Sequence, residues 1–108
     1  MFSRIVNFTV NPAKADEFRT ALNDQLVPRI REQRGFVDNI ESFDTKSGQF
    51  CCVTLWKSAT DVENYEQGFF KEIASRLQPF LQSSPTAQTL PVEYSSAHNI
   101  QAGKKAAA

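Results

Sequence analysis

The run Phe50-Cys51-Cys52-Val53-Thr54-Leu55-Trp56 limits the possible folds more than any other stretch of the chain. It is apolar at both parities. Successive side chains of a strand point to opposite faces, so this strand is buried on both sides and belongs at the centre of a sheet.

The neighbouring segments supply the rest of that sheet. From Phe2 to Val10 the residues alternate: Phe2, Arg4, Val6, Phe8 and Val10 point one way, and Ser3, Ile5, Asn7 and Thr9 the other. Asn11-Pro12 then signals a helix start, followed by Ala15, Phe18, Leu22, Leu26 and Ile30 on one helical face. Pro28 predicts a kink or a break near Val27, and Gly35 ends the segment. Phe36 to Asp44 and Gln49 to Lys57 read as a hairpin closed by Thr45-Lys46-Ser47-Gly48.

Ser58 and Asp61 resemble a capping box, and Val62, Tyr65, Phe69, Ile73 and Leu77 trace an apolar stripe. Gly68 interrupts that stripe, so one helix and two shorter ones both fit. A last strand from about Thr86 to Tyr94 contains Pro91, which cannot donate a ladder bond, and is therefore an edge.

The order predicts an α+β, ferredoxin-like β-α-β-β-α-β fold with a four-stranded antiparallel sheet and both helices on one face. Residues 1–97 form the domain. Residues 98–108 are left as a tail, either mobile or laid on a partner. Two helices cover only one side of such a sheet, yet the first strand carries Phe2, Val6, Phe8 and Val10 on one side and Ile5 with Asn7 on the other. With those four taken as the uncovered set, their burial is worth roughly 6–12 kcal/mol gross. A second copy packed sheet to sheet supplies the cover, which predicts a homodimer.

Composition excludes several classes of function. Lys plus Arg and Asp plus Glu both number 12 among 108 residues, so no basic excess points to nucleic acid or an anionic membrane. No apolar stretch reaches the roughly 18 residues of a membrane span, and Met1-Phe2-Ser3-Arg4-Ile5 lacks a signal-peptide layout. A cytoplasmic location is expected. Cys51 and Cys52 are adjacent and the chain has one His, which argues against a disulfide and against a zinc site. Nine of the twelve aromatics are Phe, a large apolar supply without polar handles.

Asn11-Pro12-Ala13-Lys14, Val27-Pro28, Arg34-Gly35-Phe36, Leu55-Trp56-Lys57-Ser58, Phe69-Phe70 and Pro79-Phe80-Leu81 together resemble the antibiotic biosynthesis monooxygenase-like domains of the dimeric α+β barrel superfamily. The resemblance covers about residues 2–95 and implies a pocket between helices and sheet in each subunit. It implies a cofactor-independent monooxygenase acting on a small aromatic or quinol-like substrate, with no cofactor and no metal. By the same resemblance Asn7 matches an Asn that lies near the reacting ligand in haem-degrading members, Tyr65 stands where they carry Trp, and Ser75 stands where they carry the haem-ligating His. Without that imidazole, haem degradation is disfavoured. The His that quinol-oxidising members carry early in the second helix is also missing from Val62-Glu63-Asn64-Tyr65-Glu66.

Asn7 and Tyr65 are thus the candidate catalytic residues, and Trp56, Phe69 and Phe18 the candidate substrate contacts. An Asn amide in a dry pocket can hold a developing oxyanion; it can equally bond a helix end or a water. Trp56 and Tyr65 fit core packing as well as ligand stacking. Arg4, odd among apolar neighbours, suits a cross-dimer ion pair or its rim. Asp38, Glu41 and Asp44 read as a solvated edge, leaving no obvious general base. The alternative to an enzyme is a non-catalytic homodimer that binds a small apolar molecule or has a structural role.

Overall fold

A computed structural model describes residues 1–105. Its main sheet is antiparallel, with strand order β2-β3-β1-β4. The strands are β1 (Phe2–Thr9), β2 (Phe36–Phe43), β3 (Gln49–Trp56) and β4 (Thr86–Pro91). β3 and β1 are central, as the two-sided apolar run of β3 requires. β4 lies at the edge, and all of its residues are exposed. Pro91 there ends the strand opposite Phe2.

The helices are α1 (Ala15–Arg19) and α2 (Val27–Ile30), then α3 (Ala59–Gln67) and α4 (Phe69–Leu77). Gly68 separates α3 from α4, so the second stripe forms two helices. In α3 the Ser58 hydroxyl accepts from the Asp61 amide at 3.1 Å and donates to the Asp61 carboxylate at 2.9 Å.

Pro28 does not break the first helical stretch: it stands in the first turn of α2, directly after a widened segment. Residues Thr20–Leu26, between α1 and α2, form a π-helical segment in which the Val27 amide bonds the Leu22 carbonyl. Widening the turn ahead of the proline relieves the clash its ring would make with a carbonyl four residues back. It also keeps the apolar stripe straight. In a 3.6-residue helix, four-residue steps drift steadily around the axis; wider turns correct the drift. Phe18, Leu22, Leu26 and Ile30 are accordingly all buried.

The helices cover the face that carries Arg4, Val6, Phe8, Phe50, Thr54 and Trp56, and the core lies there. This reverses one expectation. Phe2, Val6, Phe8 and Val10 are not an outward patch: Val6, Phe8 and Val10 are core and Phe2 packs against it. Periodicity shows that a strand has two faces without saying which one the helices take. The sheet remains apolar on its other side, where Ile5 and Val53 are half-buried and Ile40 and Leu90 are 54% and 44% exposed.

Residues 98–105, expected as part of a tail, are joined to the domain, as is the 92–97 stretch before them. The Val92 amide bonds the Met1 carbonyl at 2.9 Å, and His98 Nε2 lies 3.0 Å from Asp38 Oδ2. Since β4 begins this path and Asp38 lies on β2, the segment crosses the uncovered face at one end of the sheet. It includes a small hairpin of β5 (Ile100–Gln101) and β6 (Lys104–Lys105), with Ile100 only 2% exposed. Leu55, which faces this side, is buried. The remaining tail residues, 106–108, lie outside the described residues.

Candidate functional site

A cavity of about 40 Å³ lies between the helices and the sheet. Its wall is almost wholly apolar, with Phe8, Phe50, Ile73 and Leu77 among its residues; Arg4, Cys52, Thr54 and Tyr65 also line it. A cavity of this size holds a water or two, whereas benzene occupies a cavity on the order of 150 Å³. An aromatic ligand therefore enters only if the wall moves.

Arg4 is the one charged residue among those that line the cavity. Its place on β1 turns it to the helix side, where it is 3% exposed. Nε donates to Glu66 Oε1 of α3 at 3.0 Å. The guanidinium carbon sits 4.0 Å from the Phe70 ring centroid and 5.5 Å from that of Tyr65. The expected reach of Arg4 across a dimer interface is therefore replaced by a pair within the chain, because its face is the helix-covered one.

Tyr65 packs against Trp56 with ring centroids 4.6 Å apart and the planes tilted by 32°. Burial pushes its phenol pKa well above the usual tyrosine value, with the Arg4 charge pulling the other way. Cys52 is pushed up to about 12 by burial and by the Glu41 charge, and its Sγ donates to Asn39 Oδ1 at 3.0 Å. Near neutral pH Tyr65 is thus a phenol and Cys52 a thiol, and Arg4 carries the one charge among the residues that line the cavity. No His and no carboxylate lines the cavity among the described residues. It can hold a ring and oppose negative charge, and it contains no general base of its own.

The other candidates are distributed differently from the sequence expectation. Asn7 is exposed on the far face of the sheet, opposite Cys51 and Thr86, in a broad hollow with Ser42, Gln49 and Ser83. Asn7, Trp56 and Tyr65 therefore do not line one pocket: strand parity places Asn7 across the sheet from the other two. Trp56 is fully buried behind Tyr65, and its indole N–H donates to Thr54 Oγ1 at 2.8 Å. Phe18 is 1% exposed within a cluster of Phe8, Phe43 and Phe50. Phe69 lies under the Arg29 guanidinium at 4.3 Å. None of Trp56, Phe18 and Phe69 lines the cavity. Ser75 is exposed outside it, beside Gln78.

Sequence reading placed Glu41 on a solvated edge, whereas it faces the helices. A bulge between Phe36 and Asp38 shifts the parity of β2, so Asn39 and Glu41 lie opposite Thr54 and Cys52. Asn39 Nδ2 donates to Glu41 Oε2 at 2.8 Å, and the Asn23 amide, oriented to suit its neighbours, donates to both Glu41 oxygens at 2.8 and 3.0 Å. Nothing in the alternation of β2 signals that bulge. Arg4 was detectable as an isolated cation in an apolar pattern, but its partner was not.

The fold is similar to that of a Streptomyces coelicolor monooxygenase solved in complex with the ligand nanaomycin D, at 22% identity and a TM-score of 0.70, covering 82% of this chain and 84% of that one. A Nitrosomonas europaea protein of unknown function matches at 12% identity and a TM-score of 0.74, covering 88% and 91%. A conserved Methanosarcina mazei protein matches at 20% and 0.68, covering 83% and 91%. No curated protein matches the chain. At these identities the likeness is one of fold. Residues 1–69, from β1 to the start of α4, match the family model of antibiotic biosynthesis monooxygenases, and the chain belongs to that family.

Proposed function

We propose that the chain is a monooxygenase that oxidises a small aromatic or quinol-like substrate in the cavity between helices and sheet, without a cofactor. The observation that carries this reading is the composition of the cavity wall: apolar surface suited to a ring, with the buried Arg4 and with Tyr65 among the residues that line it. An anthrone-type substrate can supply the electrons itself. Loss of a proton from its ring CH₂ gives a carbanion, which forms a carbon–oxygen bond to O₂. Protonation gives a hydroperoxide, and loss of water leaves the quinone carbonyl. One oxygen atom ends in the product and the other in water. On this reading Tyr65, kept as a phenol by burial, donates to the substrate oxygen as charge develops there. With no base in the wall, the first proton leaves to solvent, which restricts substrates to carbon acids or phenols that ionise readily.

Oxygen uptake with dithranol and with 1,4-naphthohydroquinone, against a buffer blank, tests the reading. Uptake above the blank that falls in Tyr65→Phe supports it; uptake at the blank rate for both substrates overturns it. The missing base favours one alternative, a non-catalytic binder in the same cavity, which gives ligand-dependent thermal stabilisation and no oxygen uptake.

The assembly proposed with this function is a homodimer joined through the uncovered sheet face. Ile5, Ile40, Val53 and Leu90 form its apolar surface, and the 92–105 segment leaves that part open. Sedimentation at micromolar concentration reads the state directly, and a stable single-chain particle overturns it.

A further inference from the structure

We infer that the cavity selects an aromatic anion, an aryl carboxylate or an ionised phenol, which takes Arg4 over from Glu66. This rests on the proposed reading of the cavity as the ligand site. The Arg4–Glu66 pair is strongly asymmetric: the Arg4 side chain is 4% exposed and that of Glu66 40%. The cation is fixed, held under Phe70 and Tyr65 and surrounded by core. Glu66 lies outside the residues that line the cavity and is partly exposed, and a carboxylate there returns to water at small cost. Arg4 left alone in that wall would be an unpaired buried charge, so whatever displaces Glu66 must itself be negative.

The geometry of the pair leaves room for such an exchange. Glu66 meets Arg4 through Nε, while a guanidinium carries four further N–H donors, arranged to grip two oxygens at once. Glu66 and Phe70 flank Gly68, the break between α3 and α4, so the displaced carboxylate and the ring over the cation both adjoin the point where the helical wall is interrupted. Departure of Glu66 and a shift of Phe70 would enlarge the cavity beside the charge that the ligand's anionic group needs. A neutral ring of the same shape gains the apolar contacts and leaves Arg4 with Glu66.

The test uses 1-naphthoate and its neutral analogue 1-naphthalenemethanol, with binding followed by calorimetry on the full chain. Wild type is expected to prefer naphthoate by at least about tenfold, the scale of one charge-assisted hydrogen bond. Glu66→Gln, at a partly exposed position, is expected to raise naphthoate affinity severalfold and leave the alcohol unchanged. Arg4→Gln is expected to abolish the preference; Arg4→Lys, which keeps the charge and loses the fork, is expected to retain part of it. Equal binding of both probes by wild type, or no gain in Glu66→Gln, overturns the anion inference and leaves the cavity reading standing. Failure of both probes to bind overturns the cavity reading and this inference with it.

Discussion

Gly35 packs directly against Asp61, so closely that a Cβ on residue 35 would overlap the Asp61 carboxylate. Gly35 also has φ +83°, a conformation that side chains disfavour. Asp61 is the residue that Ser58 caps, so the turn into β2 and the start of α3 are tied at one point. Gly35→Ala is expected to cost about 1–2 kcal/mol from the backbone conformation, and more from displacing the cap. Denaturant melts of Gly35→Ala, Asp61→Ala and the double variant separate the two. The double variant should be less destabilised than the sum of the singles. Strict additivity would mean that the contact carries no energy.

The buried bond from Trp56 to Thr54 gives a second prediction. Thr54→Val keeps the volume and removes the acceptor, leaving a fully buried indole N–H without its partner. The expected loss is about 1–3 kcal/mol. Adding Trp56→Phe removes the stranded donor, so the second substitution should cost less in the Thr54→Val background than in wild type. Chemical unfolding midpoints at constant m-value check both.

Cys52 should be an inert thiol. Its pKa is pushed up to about 12, so near pH 8 it lacks the thiolate that reacts. In Cys51→Ser, Ellman's reagent at pH 8 is expected to detect almost no thiol in the native protein and one after unfolding. Rapid native labelling would contradict the burial. The linkage has a definite sign. The folded value exceeds the unfolded value of about 8.5, so the stabilisation from the neutral thiol is complete below that pH and is lost as pH rises toward 12. Cys52→Ala should show a shallower loss of stability over this alkaline range than wild type.

The 92–105 segment should act as part of the domain. Ile100→Ala removes a side chain that is 2% exposed, and the expected cost is about 2–4 kcal/mol. Removing everything after Tyr94 should uncover the Leu55 end of the sheet and raise binding of an apolar dye. A truncated chain as stable as the full one would show that the segment is an accessory.

Local pattern alone determined the four strands of the main sheet, the two helical stretches and their order. The two-sided β3, the edge strand with Pro91 and the interruption at Gly68 were all legible because each follows from strand parity or from the backbone limits of proline and glycine. Tertiary structure decided which face of the sheet the helices cover, since an alternating strand looks the same to either side. That choice placed Arg4 with Glu66, 62 residues away, and sent Asn7 to the far face. It also depended on the bulge in β2, which turned Glu41 inward, and on a C-terminal segment whose composition resembles a tail and whose burial comes only from the sheet beneath it. Burial and ion pairing are properties of neighbours in space, and one-dimensional spacing carries them only within a single helix or strand.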